Sequence, residues 1–154
     1  MIGSSLGRVT SVAHTGITVS DMDRALRFFV DALNASATTP ELYDSPAFER
    51  ITGVKDAAIL IAYVDLPGHK LELLEYRAPQ DRTPSVARPC DPGHIHISLM
   101  VEGIDDVLSR LKEHGFEPAG PVEQVTDGAT FRVIYTYGFD NLVFELMDFS
   151  VGVA

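Results

Sequence analysis

Apolar and polar residues alternate over residues 10–19 and again over 94–101, the period of a half-buried strand. Directly after each run the period changes. Met22, Ala25, Leu26, Phe29, Val30 and Leu33 recur at i, i+3, i+4, i+7, i+8 and i+11, one apolar face of a helix. Ser20 or Asp21 offers an oxygen to its free N–H groups, and Asn34 suits a left-handed stop. Ile104, Val107, Leu108 and Leu111 give a second helix, closed by Gly115. Alternation returns near 57–65 and 70–77 with a turn at Pro67-Gly68, and near 130–137 and 142–149 with a turn at Asp140-Asn141. A further turn of helix is expected at Ser45-Pro46, where a serine cap precedes a first-turn proline.

The two halves are copies of one pattern. "HTGITVSDMDRALRFF" from His14 and "HISLMVEGIDDVLSRL" from His96 share valine five residues on (Val19, Val101), aspartate nine on (Asp23, Asp105) and leucine twelve on (Leu26, Leu108). The offset is 82 throughout. "HKLELLEY" and "LVFELMDF" match at an offset of 73, pairing Glu72 with Glu145 and Glu75 with Asp148. The first half therefore carries extra residues, around "ELYDSPAFERITGVKDAA". Prolines 79, 84, 89 and 92 mark residues 79–92 as a linker. This predicts an α+β fold, a single domain of two paired βαβββ modules over 9–78 and 93–150. Helices are expected on one side of the sheets, because neither module can bury its sheet face alone.

Strand alternation assigns the faces. Ile95, Ile97, Leu99 and Val101 belong against the helix, which turns His94, His96, Ser98 and Met100 the other way. Ile17 and Val19 leave Val12, His14, Gly16 and Thr18 opposite the helix. Leu71 and Leu73 flank Glu72, and Phe144 and Leu146 flank Glu145, so both glutamates are expected on that same inner surface. Glu75 and Asp148 fall on the helix face. A repeat that serves packing alone preserves leucines; this one also preserves a histidine and a glutamate. Imidazole and carboxylate are ligands for zinc, iron, nickel, cobalt or manganese.

Composition narrows the field. At 154 residues, 45% hydrophobic and 22% charged, the chain is an ordinary globular domain. A formal charge of −10 argues against binding nucleic acid through its phosphates. No apolar run reaches the length of a membrane span, and "MIGSSLGRVTSV" does not read as a signal peptide. A single cysteine, Cys90, fits a reducing cytoplasm.

At "HTGITVSDMDRALRFF", "HKLELLEY", "GHIHISLMVEGIDD" and "NLVFELMDF" the chain resembles the vicinal oxygen chelate superfamily, from about Val9 to Phe149. That superfamily includes glyoxalase I, methylmalonyl-CoA epimerase, extradiol dioxygenases and the fosfomycin and bleomycin resistance proteins. The resemblance implies one divalent metal held by His14, Glu72, His96 and Glu145, in a homodimer. His96 is preferred to His94 because it alone has the matching valine; His94, about 7 Å away on the same face, is left as a substrate-binding neighbour. Extradiol dioxygenases carry histidine where Glu72 stands, and drug-sequestering relatives lack the full set, so both are disfavoured.

The expected activity is a metal-dependent epimerase or isomerase acting on a small hydroxy-ketone, such as a cyclic polyol ketone. It would move a proton on the carbon next to a carbonyl through a metal-chelated enediolate. A glyoxalase I-type lyase and a non-catalytic ligand-binding or resistance protein are the alternatives. Glu72 and Glu145 are the expected proton-handling pair, with Glu49 a further candidate base. Arg50 and Lys55 are the only cations in segment 41–58, and Arg50 is a candidate substrate contact.

Overall fold

In the computed structural model, which describes residues 7–150, the strands form two five-stranded sheets of one layout. The first contains β1 (Thr15–Thr18), β2 (Ser36–Ala37), β3 (Glu41–Tyr43), β4 (Ala58–Leu66) and β5 (His69–Ala78). The second contains β6 (Ile97–Met100), β7 (Glu117–Pro118), β8 (Glu123–Asp127), β9 (Ala129–Tyr137) and β10 (Val143–Asp148). The orders are β1-β5-β4-β2 with β3 also on β4, and β6-β10-β9-β7 with β8 also on β9. The register repeats as well. Gly16 lies beside Glu72 in the parallel pair β1–β5, and Ser98 beside Glu145 in β6–β10.

The α+β fold of two paired modules is thus as expected from the repeat. Hydrophobic alternation did not mark β2, β3, β7 and β8, because they are two to five residues long and almost wholly exposed. The predicted turns hold: Pro67-Gly68 joins β4 to β5, while Asp140 and Asn141 sit at φ 55° and 60° before β10. Their left-handed backbone suits short polar side chains.

The first helix departs from the pattern. It begins as α1 (Met22–Arg27), capped by Asp21, which accepts the Arg24 N–H at 2.9 Å. It then widens into a π turn over Phe28–Ala32. The wider turn rotates the buried face, so Phe28 and Ala32 point inward beside Phe29, and Val30, expected in the core, is 41% exposed. Asn34 ends the segment at φ 54°, as predicted. The segment Pro46–Thr52 forms α2; Ser45 is extended at its start, but its hydroxyl makes no cap bond. Helix α3 (Ile104–Glu113) buries all four residues of its predicted stripe. Ile95, assigned to the helix face, precedes β6 and is 75% exposed, because strand alternation does not extend to it.

One core joins the modules. It takes Ala62, Val64, Leu71 and Leu73 from the first sheet, Ile134, Phe144 and Leu146 from the second, and the buried faces of α1 and α3. At its centre Phe28 stacks on Phe116 with ring centroids 4.1 Å apart, and Phe144 and Phe139 lie 5.5 and 5.7 Å from Phe28. Polar ties back this up: Ser20 donates its N–H to Asp140 Oδ2 at 2.8 Å, and the Arg24 guanidinium lies 4.5 Å over the Phe139 ring.

The second acid of each hairpin serves this core. Glu75, 8% exposed, accepts the Met22 N–H at 2.9 Å. Asp148, 2% exposed, accepts those of Gly103 and Ile104 at 3.1 and 3.0 Å. Both carboxylates satisfy the free donors at a helix start and meet the positive end of its dipole. The Ser150 hydroxyl, then the Ile104 N–H, hold the Asp148 carboxyl down to about 2.

Two outcomes test this packing. A Cβ on Gly138 would stand 2.2 Å from the buried Phe116 ring, so Gly138→Ala should lose about 1–3 kcal/mol in urea unfolding. An unchanged midpoint would mean that the ring moves freely. Because the folded Asp148 carboxyl lies below its ordinary 3.8, its contribution is complete at neutral pH and is lost as pH falls from 3.8 towards 2. Asp148→Asn should therefore be less stable than wild type at pH 7, with the gap narrowing across that window; a constant gap would refute the capping role.

Candidate metal centre

His14 and His96 stand one residue before β1 and β6, and Glu72 and Glu145 lie in the neighbouring strands β5 and β10. The parallel pairing brings each histidine to its glutamate. His14 Nε2 is 3.2 Å from Glu72 Oε2, and His96 Nε2 is 3.5 Å from Glu145 Oε2. The histidines are half-exposed and the glutamates mostly covered. Two neighbouring ligands of one cation, each about 2.1 Å from it, lie roughly 3.0–3.4 Å apart. Each pair therefore has nearly the spacing, and the donor chemistry, of half a metal site. Gly16 keeps the space beside Glu72 open; a Cβ there would stand 3.8 Å from Oε2.

The four predicted ligands come together two by two, not as one cluster. Among the described residues no three His, Cys, Asp or Glu side chains converge. The shared core explains this, since it uses the helix faces of both sheets and leaves each His–Glu pair on the face turned away.

Repeat-related tyrosines, which the sequence reading overlooked, buttress both pairs. Tyr63 stands across from Glu72 in β4–β5, and Tyr135 across from Glu145 in β9–β10. The Tyr63 hydroxyl donates to Glu72 Oε1 at 2.8 Å, while the Tyr135 hydroxyl lies 3.3 Å from His96 Nε2. Hydrogen bonding to the Glu72 carboxylate, then burial, pushes the Tyr63 hydroxyl above its ordinary range. Burial first and the Glu145 charge second do the same to Tyr135. Both phenols thus remain protonated donors at neutral pH. The signal lay in the likeness of "IAYV" to "VIYT", nine and ten residues before the glutamates. Lys70, also overlooked, shares the Glu72 face; its ammonium lies 5.8 Å from the Tyr63 ring centre and 3.0 Å from Asp65.

His94 is in the loop before β6 rather than on the strand, so alternation does not place it beside His96. Its N–H bonds the Asp91 carbonyl, and its Nε2 is buried without a partner among the described residues. Glu49 and Arg50 are exposed on α2, where Glu49 Oε2 accepts the Asp56 N–H at 3.2 Å in a separate acidic cleft with Asp44. The extra segment of the first half instead builds an apolar wall. Tyr43, Phe48 and Val54 pack with Ile59, Ile61, Tyr63 and Tyr76 on the Glu72 side of the sheet.

Comparison with known proteins agrees with this architecture. Over 160 aligned residues the chain is 31% identical to a 2-epi-5-epi-valiolone epimerase of Actinomyces sp., covering 99% of this chain and 86% of that one. A crystal structure of a glyoxalase family protein from Bacillus cereus superposes with a TM-score of 0.80 at 24% identity, covering 96% and 97% of the two chains. A point mutant of the fosfomycin resistance protein FosX from Listeria monocytogenes, crystallised with Mn(II) and 1S,2S-dihydroxypropylphosphonic acid, superposes with a TM-score of 0.59 at 21% identity over 90% of each chain. Residues 13–135 match the Glyoxalase/Bleomycin resistance protein/Dioxygenase superfamily, and with its duplicated modules and paired His–Glu sites the chain belongs to that family.

Proposed function

We propose that this protein is a metal-dependent epimerase that inverts a carbon next to the carbonyl of a small, weakly charged hydroxy-ketone. The observation that carries this reading is the pair of repeat-related His–Glu couples, each spaced as two ligands of one cation. The 31% identity to a 2-epi-5-epi-valiolone epimerase supports the epimerase reading. The substrate class is supported by the wall of Tyr43, Phe48 and Tyr76, which offers apolar surface, while the neighbouring Lys70 is already paired with Asp65 at 3.0 Å.

His14, Glu72, His96 and Glu145 would hold a single divalent ion, zinc, nickel, cobalt, manganese or iron. When bound, it supplies electrophilic strength that acidifies the C–H beside the substrate carbonyl. Glu72 and Glu145 are the proton-handling pair, and because ligation competes with base duty, one of them would have to loosen from the cation during turnover. Coming from two related modules, they serve opposite faces of the planar carbon: one takes the proton, and the other returns one from the far side. No oxidant or reductant enters, and substrate and product are isomers.

Because the shared core keeps the two couples on separate sheet faces, a second copy of the chain completes the set. His14 and Glu72 of one copy meet His96 and Glu145 of the other. Among the described residues β1 and β6 end their sheets with no ladder partner on that side, and Met100 on β6 is 80% exposed.

Loaded with a divalent metal and followed by NMR in D₂O, the protein should exchange the hydrogen next to the carbonyl and invert that carbon. Glu145→Gln should slow this at least ~100-fold; wild-type exchange in that variant removes Glu145 from the reaction. Rearrangement of a hemithioacetal to a thioester would make the protein a glyoxalase, and absence of any exchange a binding protein. For the assembly, His14→Ala/Glu72→Ala and His96→Ala/Glu145→Ala chains should each be inactive. Refolded together they should recover about a quarter of wild-type activity, since half the dimers then carry one intact site of two. An inactive mixture would place the whole site within one chain.

A further inference from the structure

The two modules match in Glu, His and Tyr, yet their tyrosine hydroxyls hold different partners. Tyr63 donates to Glu72 Oε1, whereas the other oxygen of that carboxylate, Oε2, faces His14. Tyr135 does not bond the carboxylate of its own module. Its hydroxyl meets His96 Nε2, the same nitrogen that faces Glu145 Oε2.

An imidazole nitrogen has one position to give. Once Nε2 donates its lone pair to a cation it has neither a proton to offer nor a pair to share. A cation held by His14 and Glu72 would leave the Tyr63–Glu72 bond intact, since Tyr63 engages Oε1 while Oε2 faces His14. One held by His96 would break the contact between Tyr135 and His96. The Tyr135 hydroxyl, then freed, is half-buried beside the same histidine. A half-buried donor without a partner is unfavourable, and an oxygen-rich substrate removes that penalty.

We infer that the tyrosines divide into unlike roles: Tyr63 is a positioning residue that fixes the Glu72 carboxylate for the metal, and Tyr135 is a substrate-contacting residue whose hydroxyl, released by metal binding, hydrogen-bonds an oxygen of the bound polyol ketone. This rests on His14, Glu72, His96 and Glu145 holding the metal. It adds a reason for selectivity: a ketone with a hydroxyl or carbonyl oxygen within reach of Tyr135 gains a bond that a bare ketone lacks.

Tyr63→Phe and Tyr135→Phe each remove only a hydroxyl. Co²⁺ uptake is followed by visible absorption. Binding of a hydroxycyclohexanone with its hydroxyl and carbonyl on neighbouring carbons is then measured calorimetrically at saturating Co²⁺. Tyr63→Phe should weaken Co²⁺ binding about tenfold or more, with unchanged ketone affinity once metal is saturating. Tyr135→Phe should leave Co²⁺ affinity within about twofold and weaken the ketone about tenfold. Equal loss of Co²⁺ affinity in both variants, or ketone binding by Tyr135→Phe as tight as wild type, overturns the division. Wild-type protein that takes up no Co²⁺ refutes instead the metal reading on which it rests.

Discussion

The packing of Phe28 on Phe116, with Phe139 and Phe144 around them, is the contact on which the rest of the molecule depends. Phe28 comes from the first module and the other three from the second, so the rings close a core that neither half can close alone. Burying such side chains contributes roughly 1.5–3 kcal/mol each, and edge-to-face or stacked geometry adds to it. The arrangement also dictates where chemistry can occur. Since the helix faces of both sheets are spent on each other, only the opposite faces remain for ligands, and each carries one His–Glu couple.

The duplicated hairpin shows how strand alternation can serve two purposes with two acids three residues apart. Glu72 and Glu145 face outward beside histidines. Glu75 and Asp148 face inward and bind the free N–H groups where α1 and α3 begin. An acid in a core is normally unfavourable, but here it meets donors that would otherwise be unsatisfied. The inner acids thereby fix the helices against the same strands that present the outer acids, so the site and the core share their supports.

The modules have diverged where the repeat was free to vary. The first carries α2 and its wall of Tyr43 and Phe48 between β3 and β4; in the second, β8, the counterpart of β3, runs directly into β9. Tyr63 grips a carboxylate and Tyr135 an imidazole. The proposed inversion treats the two faces of a carbon differently and would benefit from such inequality, because a strictly symmetric site would hold both faces alike.

Much of this was legible in the chain. Hydrophobic periods of two and of about 3.6 mark the long strands and α3, and the offsets of 82 and 73 pair His14 with His96 and Glu72 with Glu145. Residues that fill a core or repeat across modules leave such traces. The short exposed strands leave none, and Val30 misleads because a π turn changes the helical period without altering composition. Glu49 has suitable chemistry in sequence but turns to the Asp56 N–H on α2, and His94 stands in the loop before β6 rather than on the strand. The sequence by itself determined which side chains share a strand face, since alternation is a local property of extended backbone. Only the tertiary structure decided that the four candidate ligands stand as two separate couples and that a tyrosine braces each. Those relations depend on how two sheets pack through one set of phenylalanines and on cross-strand register, which no single strand encodes.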